Sequence, residues 1–435
     1  MNRYERLLEI ENKYNLLDFT LNNIYIWQVM RENIFYKLDS KSSKKNKRVS
    51  LKCILKSFIL NNPLIKLSKK DDLFFGYYSR MKLIDEKYQD MFFFELMKKS
   101  NSYQYYGYRE SFTQLNMDNS LDYDVVLYIS KIMKKFSKLK LLEEEYNFIK
   151  NIEQEIYKSI DLDLDLTKLI KETYNEFKLV GLFYKFIFYF KKPKRVYLIN
   201  SGLFMPIIKV AKDLNISVIE LQHGVIYKGQ PNYNYSDQKK AKYFPDKFYY
   251  FGRFWKDKFP LSMAKNYIYG SDYLNYELKQ QKTKKKINKS ILITSADSSV
   301  DIYLVDYLLA NIKYLTNYKI YYKLHPRDYK KQNKELNRLL LYENIEIIRD
   351  EQSTYELFAV CENHLSVGST TIYEGLFFKC RTFILQESDL FDVTKEINDT
   401  DFIEIVNKKD LLINFLNNKQ ELNTTLLKEI YRIKG

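Results

Sequence analysis

The sequence predicts an α/β chain of two doubly wound parallel-sheet domains, preceded by a helical N-terminal segment. Three observations carry that expectation. Val196 to Ile199, a helix to about Leu214 and Ile216 to Leu221 follow one another with short connections, the pattern of a βαβ unit. Apolar strand-like runs alternate with helical periodicity again from Ile291 to Leu385. The chain has three histidines, and His223 and His325 each directly follow such a run, where open α/β sheets bind their ligands.

Residues 1–48 read as the helical segment. Leu17, Leu21, Ile24 and Trp27 lie near helical spacing, and the basic stretch Ser40 to Arg48 ends it as a separable piece. Asp72 to Tyr78 and Tyr103 to Tyr108 read as strands, with a helix from about Gln89 to Lys99 between them, and residues 131–190 read as mostly helical. After the βαβ unit, residues 225–246 form a polar and aromatic loop with Gly229, Pro231 and Pro245. A loop of that length is usually functional or mobile. Lys282 to Lys289 holds five lysines in eight residues and is the expected linker, which divides the chain into 1–48, 49–281 and 282–435. In the last part, strands are expected at Ile291–Thr294, Lys319–Lys323, Ile345–Ile348, Leu365–Val367 and Thr382–Leu385. Helices are expected at 299–314, 328–341 and 370–378.

The net charge of +16 suits an acidic partner such as a phosphate, a nucleotide or anionic lipid. Heavy use of Lys, Asn, Ile and Tyr also follows from an AT-rich genome, so both explanations of the charge stay open. Basic and aromatic residues are spread along the chain without a recognisable RNA or DNA module, and no nucleic-acid partner is expected. Cys53, Cys361 and Cys380 show no metal or disulfide spacing, which points to a reducing compartment. Met1 to Asn15 lacks the apolar core of a signal peptide, and no apolar run is long enough to span a bilayer. The expected location is therefore cytoplasmic. Leu179 to Phe190, followed by Lys191, Lys192, Lys194 and Arg195, reads as a buried helix with a cationic last turn. It also reads as a helix lying on an anionic membrane surface at the inner face of the cell membrane, and that contact is left open.

The candidate site residues cluster at strand ends. Lys323, His325, Pro326 and Arg327 follow one strand, and a histidine there can donate to phosphate oxygen while its neighbours raise the local positive potential. Gly368, Ser369, Thr370 and Thr371 open a helix, where free N–H groups and hydroxyls suit an anion. Ordinary helix capping with Glu374 as capping-box partner accounts for the same residues, while Glu374 is also placed to accept from ribose hydroxyls. Glu220 and His223 are candidates for general base at a third strand end, with His223 preferred and Gly224 allowing close approach or an unusual dihedral. Gln222, Gly224, Arg80 and Tyr233 are candidate contacts for an acceptor. His364 reads as structural. Asp161, Asp163 and Asp165 have metal-binding spacing but no strand-end setting, and no metal or other cofactor is expected.

These residues resemble a known group. Glu220-Leu-Gln-His-Gly-Val-Ile226, with Tyr233-Asn-Tyr235, is similar to a motif of bacterial capsule and surface-polysaccharide biosynthesis proteins of GT-B fold. Tyr322-Lys-Leu-His-Pro-Arg327 and Gly368-Ser-Thr-Thr-Ile-Tyr-Glu374 resemble the His-Pro and Ser/Thr motifs of bacterial sialyltransferases, Kdo transferases and polyglycerophosphate transferases. The resemblance covers roughly residues 195–390. It implies two Rossmann-like domains facing across a cleft, with a nucleotide-activated sugar donor, CMP-linked by preference, held by His325 and Ser369 to Thr371. It also implies a glycan or glycolipid acceptor from a capsule or lipopolysaccharide and a metal-independent, inverting transfer. The acidic motif that supplies the base in several sialyltransferases is not matched, and Gln222-His-Gly224 stands in a comparable place. A CDP-polyol phosphotransferase and a nucleotide-sugar epimerase share this architecture and remain alternatives.

Overall fold

The computed structural model describes residues 3–38, 51–108, 119–133, 139–295, 301–329, 331, 333–367, 369–386, 403–418 and 424–433. Gly368 and the side chain of Arg327 lie outside the described residues. The chain divides into two compact units. The first comprises residues 1–223, 228–250 and 256–269, and the second residues 224–227, 251–255 and 270–435.

The first unit is built on a seven-stranded sheet whose members are β1 (Asp72–Tyr77), β2 (Tyr103–Tyr108), β3 (Ser120–Asp122), β4 (Arg195–Leu198), β5 (Ser217–Leu221), β6 (Lys247–Tyr250) and β7 (Lys265–Ile268). Their spatial order is β7-β6-β5-β4-β1-β2-β3, and every pairing is parallel. Every residue of β1 is buried, as expected for a strand covered on both faces. Leu73, Phe75, Tyr106, Val196 and Leu198 pack there against Tyr184, Ile187, Ile207 and Ile208 of the covering helices. The strand order reverses between β1 and β4, so the C-terminal ends of these two strands flank a topological switch point.

The second unit has a six-stranded parallel sheet of β8 (Ile287–Thr294), β9 (Lys319–Lys323), β10 (Ile345–Ile348), β11 (Cys361–Ser366), β12 (Arg381–Gln386) and β13 (Ile403–Asn407). Its order is β10-β9-β8-β11-β12-β13, which puts a second switch point between β8 and β11. Ile291, Ile293, Ile320 and Tyr322 form its core with Leu304, Val305 and Leu308.

The N-terminal helices α1 (Arg3–Lys13) and α2 (Ile26–Leu38) belong to the first unit. Glu11 and Arg31, both almost fully buried, pair at 2.9 Å. Glu11 also accepts from Trp27 Nε1 at 2.7 Å and from the Ser236 amide at 2.9 Å. Arg31 donates to the carbonyls of Pro231 and Asn234 and stacks over Tyr235 at 4.1 Å. Gln28 donates to the Lys240 carbonyl and accepts from the Lys242 amide. The long polar loop is therefore pinned along residues 231–242 by buried side chains of the N-terminal helices.

Three local expectations are corrected. The helix expected from about Gln89 to Lys99 is shortened to Phe94–Lys98, and a β-hairpin, Met81–Ile84 with Lys87–Asp90, takes up its expected first residues. The helix expected over 328–341 breaks into 3-10 turns at Pro326–Asp328 and Leu339–Leu341 around Lys334–Asn337, with Asn333 capping the middle piece. The lysine run from 282 leads straight into β8, and Lys286 is tied down by the carbonyls of Phe358 and Cys361 at 2.7 and 2.5 Å. Asp161 and Asp165 have simple roles: Asp161 ends the helix Glu143–Ile160 in a left-handed conformation, and Asp165 caps the helix Leu166–Lys191 through the Lys168 amide.

Candidate functional site

Each switch point gathers polar side chains. In the first unit, β1 ends at Tyr77 and runs into a 3-10 turn that carries Arg80, while β4 is followed by Asn200, Ser201 and Gly202. Asn200 adopts the left-handed conformation, with φ 64°. Its amide donates to the Tyr77 hydroxyl at 3.0 Å, and Asn232 from the pinned loop donates to its Oδ1 at 3.0 Å. A β-carbon at Gly202 would run into the side-chain ends of Asn232 and Glu32, so a larger residue there would push both side chains aside. By contrast a β-carbon at Gly224 would meet nothing within 4 Å, and the strained backbone of this region belongs to Asn200.

Glu220 is fully buried in β5. Its Oε1 accepts from Tyr233 Oη at 2.6 Å and from the Ser201 amide at 3.2 Å, while Oε2 is buried without a partner among the described residues. Burial outweighs these bonds and pushes the carboxyl up to about 7. Tyr233 and Gln222 are buried as well, and the Gln222 amide extends the ladder to Tyr249. His223, two residues past the end of β5, is half-buried, with Nδ1 buried and without a partner among the described residues. Burial and the Arg80 cation push its pKa down to about 3, so the ring is neutral at physiological pH.

In the second unit, register puts Lys323, Thr294 and Ser366 side by side at the ends of three adjacent strands, with Ile384 of β12 beside Ser366. Thr294 is the hub. Its Oγ1 lies 2.9 Å from His364 Nε2 and 3.3 Å from Thr371 Oγ1, and donates to Ser366 Oγ at 3.0 Å. Since Ser366 in turn donates to the Thr294 carbonyl, the hydroxyl hydrogen of Thr294 is used, and His364 fits as the Nε2–H tautomer. Its Nδ1 is left buried without a partner among the described residues. His364 lies in the middle of β11, edge-on to Phe358.

The short helix Thr371–Phe377 begins one residue after Thr370, and Ser369 Oγ accepts from the Thr371 amide at 3.3 Å. The capping box expected with Glu374 does not form, because Glu374 accepts from Tyr355 Oη at 2.8 Å. Lys323 is buried, donates to the Arg349 carbonyl and lies over the Tyr329 ring at 4.8 Å. His325 is half-buried just beyond β9, and its carbonyl accepts from the Asp328 amide at 2.8 Å; Pro326 is exposed. The structure thus brings Ser369 to Thr371 beside a hydroxyl pair, Thr294 and Ser366, that sequence reasoning missed. The available signal was a hydroxyl residue ending each apolar strand run.

The neutral imidazoles predict a pH dependence of stability. Unfolded histidines titrate near 6.5, whereas burial lowers His364 to about 3. Between those values the unfolded state binds more protons, so stability supplied by this ring rises with pH across that window. Glu220, raised to about 7, and Asp90, raised by burial to about 6, work the other way and favour the folded state at low pH. His364→Gln is therefore expected to show its largest deficit near neutral pH and a smaller one as pH falls through the window. Urea unfolding from about pH 4 to 7 measures this, and a deficit independent of pH would contradict it.

Two doubly wound units, each with polar side chains at its switch point, define an α/β protein of Rossmann-like architecture. No family model and no curated protein matches the chain. Among solved structures it is similar to a UDP-GlcNAc 2-epimerase from Methanocaldococcus jannaschii in complex with UDP-GlcNAc and UDP, at 14% identity over 80% of this chain and 93% of that one, TM-score 0.48. It is also similar to MurG from Acinetobacter baumannii, at 10% identity over 83% and 94%, TM-score 0.46. The calicheamicin glycosyltransferase CalG4 matches at 7% identity over 84% and 93%, TM-score 0.42.

Proposed function

We propose that the chain is a nucleotide-sugar-dependent glycosyltransferase of GT-B type, with a CMP-linked donor favoured and a bacterial surface glycan as acceptor. The observation that carries this reading is the second switch point. Hydroxyls of Thr294, Ser366, Ser369 and Thr371 gather there at the ends of β8 and β11, with Lys323 at the end of the adjoining strand β9 and His325 just beyond it. Ligands of doubly wound sheets bind at such reversals, and hydroxyl, imidazole and ammonium donors suit phosphate oxygens.

In this reading the donor phosphate lies against Ser369 to Thr371 and His325, which stabilise charge developing on the leaving group. His223 is the base that takes the acceptor proton. Its basicity in the free protein is held down partly by Arg80, so an anionic group that pairs with Arg80 raises it on binding. Lys323, His325, Arg327 and backbone N–H groups carry the electrostatic role that a cation would otherwise fill. Transfer is therefore expected to survive EDTA, and Asp163→Asn is expected to be nearly neutral. Complete loss in EDTA with recovery on adding Mn²⁺ or Mg²⁺ would overturn the metal-independent mechanism.

Calorimetric titration with CMP, CDP, UDP and GDP tests the nucleotide. CMP is expected to bind most tightly, and absence of binding by all four would remove the reading. Turnover of a nucleotide sugar without any acceptor would instead identify an epimerase.

A further inference from the structure

At the edge of the first sheet opposite its switch point, the starts of β1, β2 and β3 border a polar pocket of about 600 Å³. Asn61, Lys66, Ser68, Lys70, Gln104 and Ser120 line it. Ile65 also lines it and is 68% exposed.

Lys191, the last residue of the helix Leu166–Lys191, is fully buried behind this lining. Among the described residues its ammonium reaches only the Ser68 carbonyl and Gln104 Oε1, each at 3.5 Å. Both partners are neutral and both belong to lining residues. The carboxylates at the start of β1 are already taken: Asp71 pairs with Lys194 at 3.0 Å, and Asp72 with Arg195 at 2.6 Å. Among the described residues no acid compensates Lys191. Burial and the Lys70 cation push its pKa down to about 8, the direction expected for a cation without a counter-charge.

A buried, uncompensated ammonium is costly to keep, and a bound anion would balance it. We propose that this pocket binds a phosphate group, held by Lys191 from behind and by Lys66 and Lys70 from its rim. Amide and hydroxyl donors of Asn61, Ser68 and Ser120 complete a lining suited to phosphate oxygens. The exposed Ile65 beside it suits a phosphate carried on a lipid, since an apolar side chain next to a cationic pocket can enter the headgroup boundary. The site is separate from the strand C-terminal ends and does not depend on the transfer reaction.

The test uses the full chain and two variants. Lys191→Met removes the charge and keeps the volume of the stem; Lys70→Gln alters an accessible rim residue and guards against a folding defect in the first. Binding is measured to inorganic phosphate and glycerol phosphate in solution, and to phosphatidylglycerol or phosphatidylcholine vesicles. Each variant is expected to weaken binding to phosphatidylglycerol vesicles roughly ten- to hundredfold, with little binding to phosphatidylcholine by any form. The same loss in solution with no vesicle response would support the pocket with a soluble phosphate as its source. Equal binding by the parent and both variants in every arm, or no binding at all, would overturn the proposal.

Discussion

Arg31→Ala is expected to destabilise the first unit by about 3–5 kcal/mol, because it leaves the Glu11 carboxylate buried without its counter-charge. Arg31 and Glu11 are 1% and 0% exposed, so water cannot replace the lost partner. The same change strips the donors from the Pro231 and Asn234 carbonyls and the stacking from Tyr235. Its second consequence is local. The loop that delivers Asn232 to Asn200 and Tyr233 to Glu220 loses its anchor at Pro231 and Asn234, while Gln28 still holds it to α2 at Lys240 and Lys242. Urea unfolding of the variant gives the first number, and hydrogen exchange of the amides in 228–242 reports the second. A loss below about 1 kcal/mol would show that the pair contributes little beyond what hydrophobic packing supplies.

His223→Ala is expected to slow transfer by roughly 10² to 10⁴ while leaving nucleotide affinity nearly unchanged, as removal of a general base does. The pH profile separates it from its neighbour. His223 is already neutral in the free protein above about pH 3, so as base it gives kcat/KM no ionisation near 6.5. Glu220 titrates near 7 and as base would impose an acid limb there. Its burial and its bonds to Tyr233 and Ser201 fit a carboxyl that shapes the site from behind. An acid limb near 7, together with greater damage in Glu220→Gln than in His223→Ala, would exchange the two roles.

What the sequence revealed depended on how local each signal was. The strands ending at Leu221, Thr294 and Lys323 were legible because buried parallel strands are short apolar runs with sharp polar ends. The hairpin at Met81–Asp90 was not, because its turn residues Asp85 and Glu86 take left-handed conformations usually signalled by Asn or Gly. β7 alternates exposed and half-buried residues at the sheet edge, and neither a long apolar run nor a turn signal marked it. The hub at Thr294 was hidden for another reason: its partners His364, Ser366 and Thr371 lie about 70 residues away and meet it only through strand register and the start of the following helix. Likewise the clamp on residues 231–242 joins Glu11, Gln28 and Arg31 to positions 200 or more residues distant.

The central claim, that the second switch point holds the phosphate of a nucleotide donor, is tested most directly by repeating the CMP titration on two variants. These are His325→Ala and the double variant Ser369→Ala/Thr370→Ala, neither of which removes a buried core side chain. Each is expected to weaken binding roughly ten- to hundredfold, the loss of one charge-assisted hydrogen bond, with unfolding unchanged. CMP affinity equal to the parent's in both variants would contradict the account.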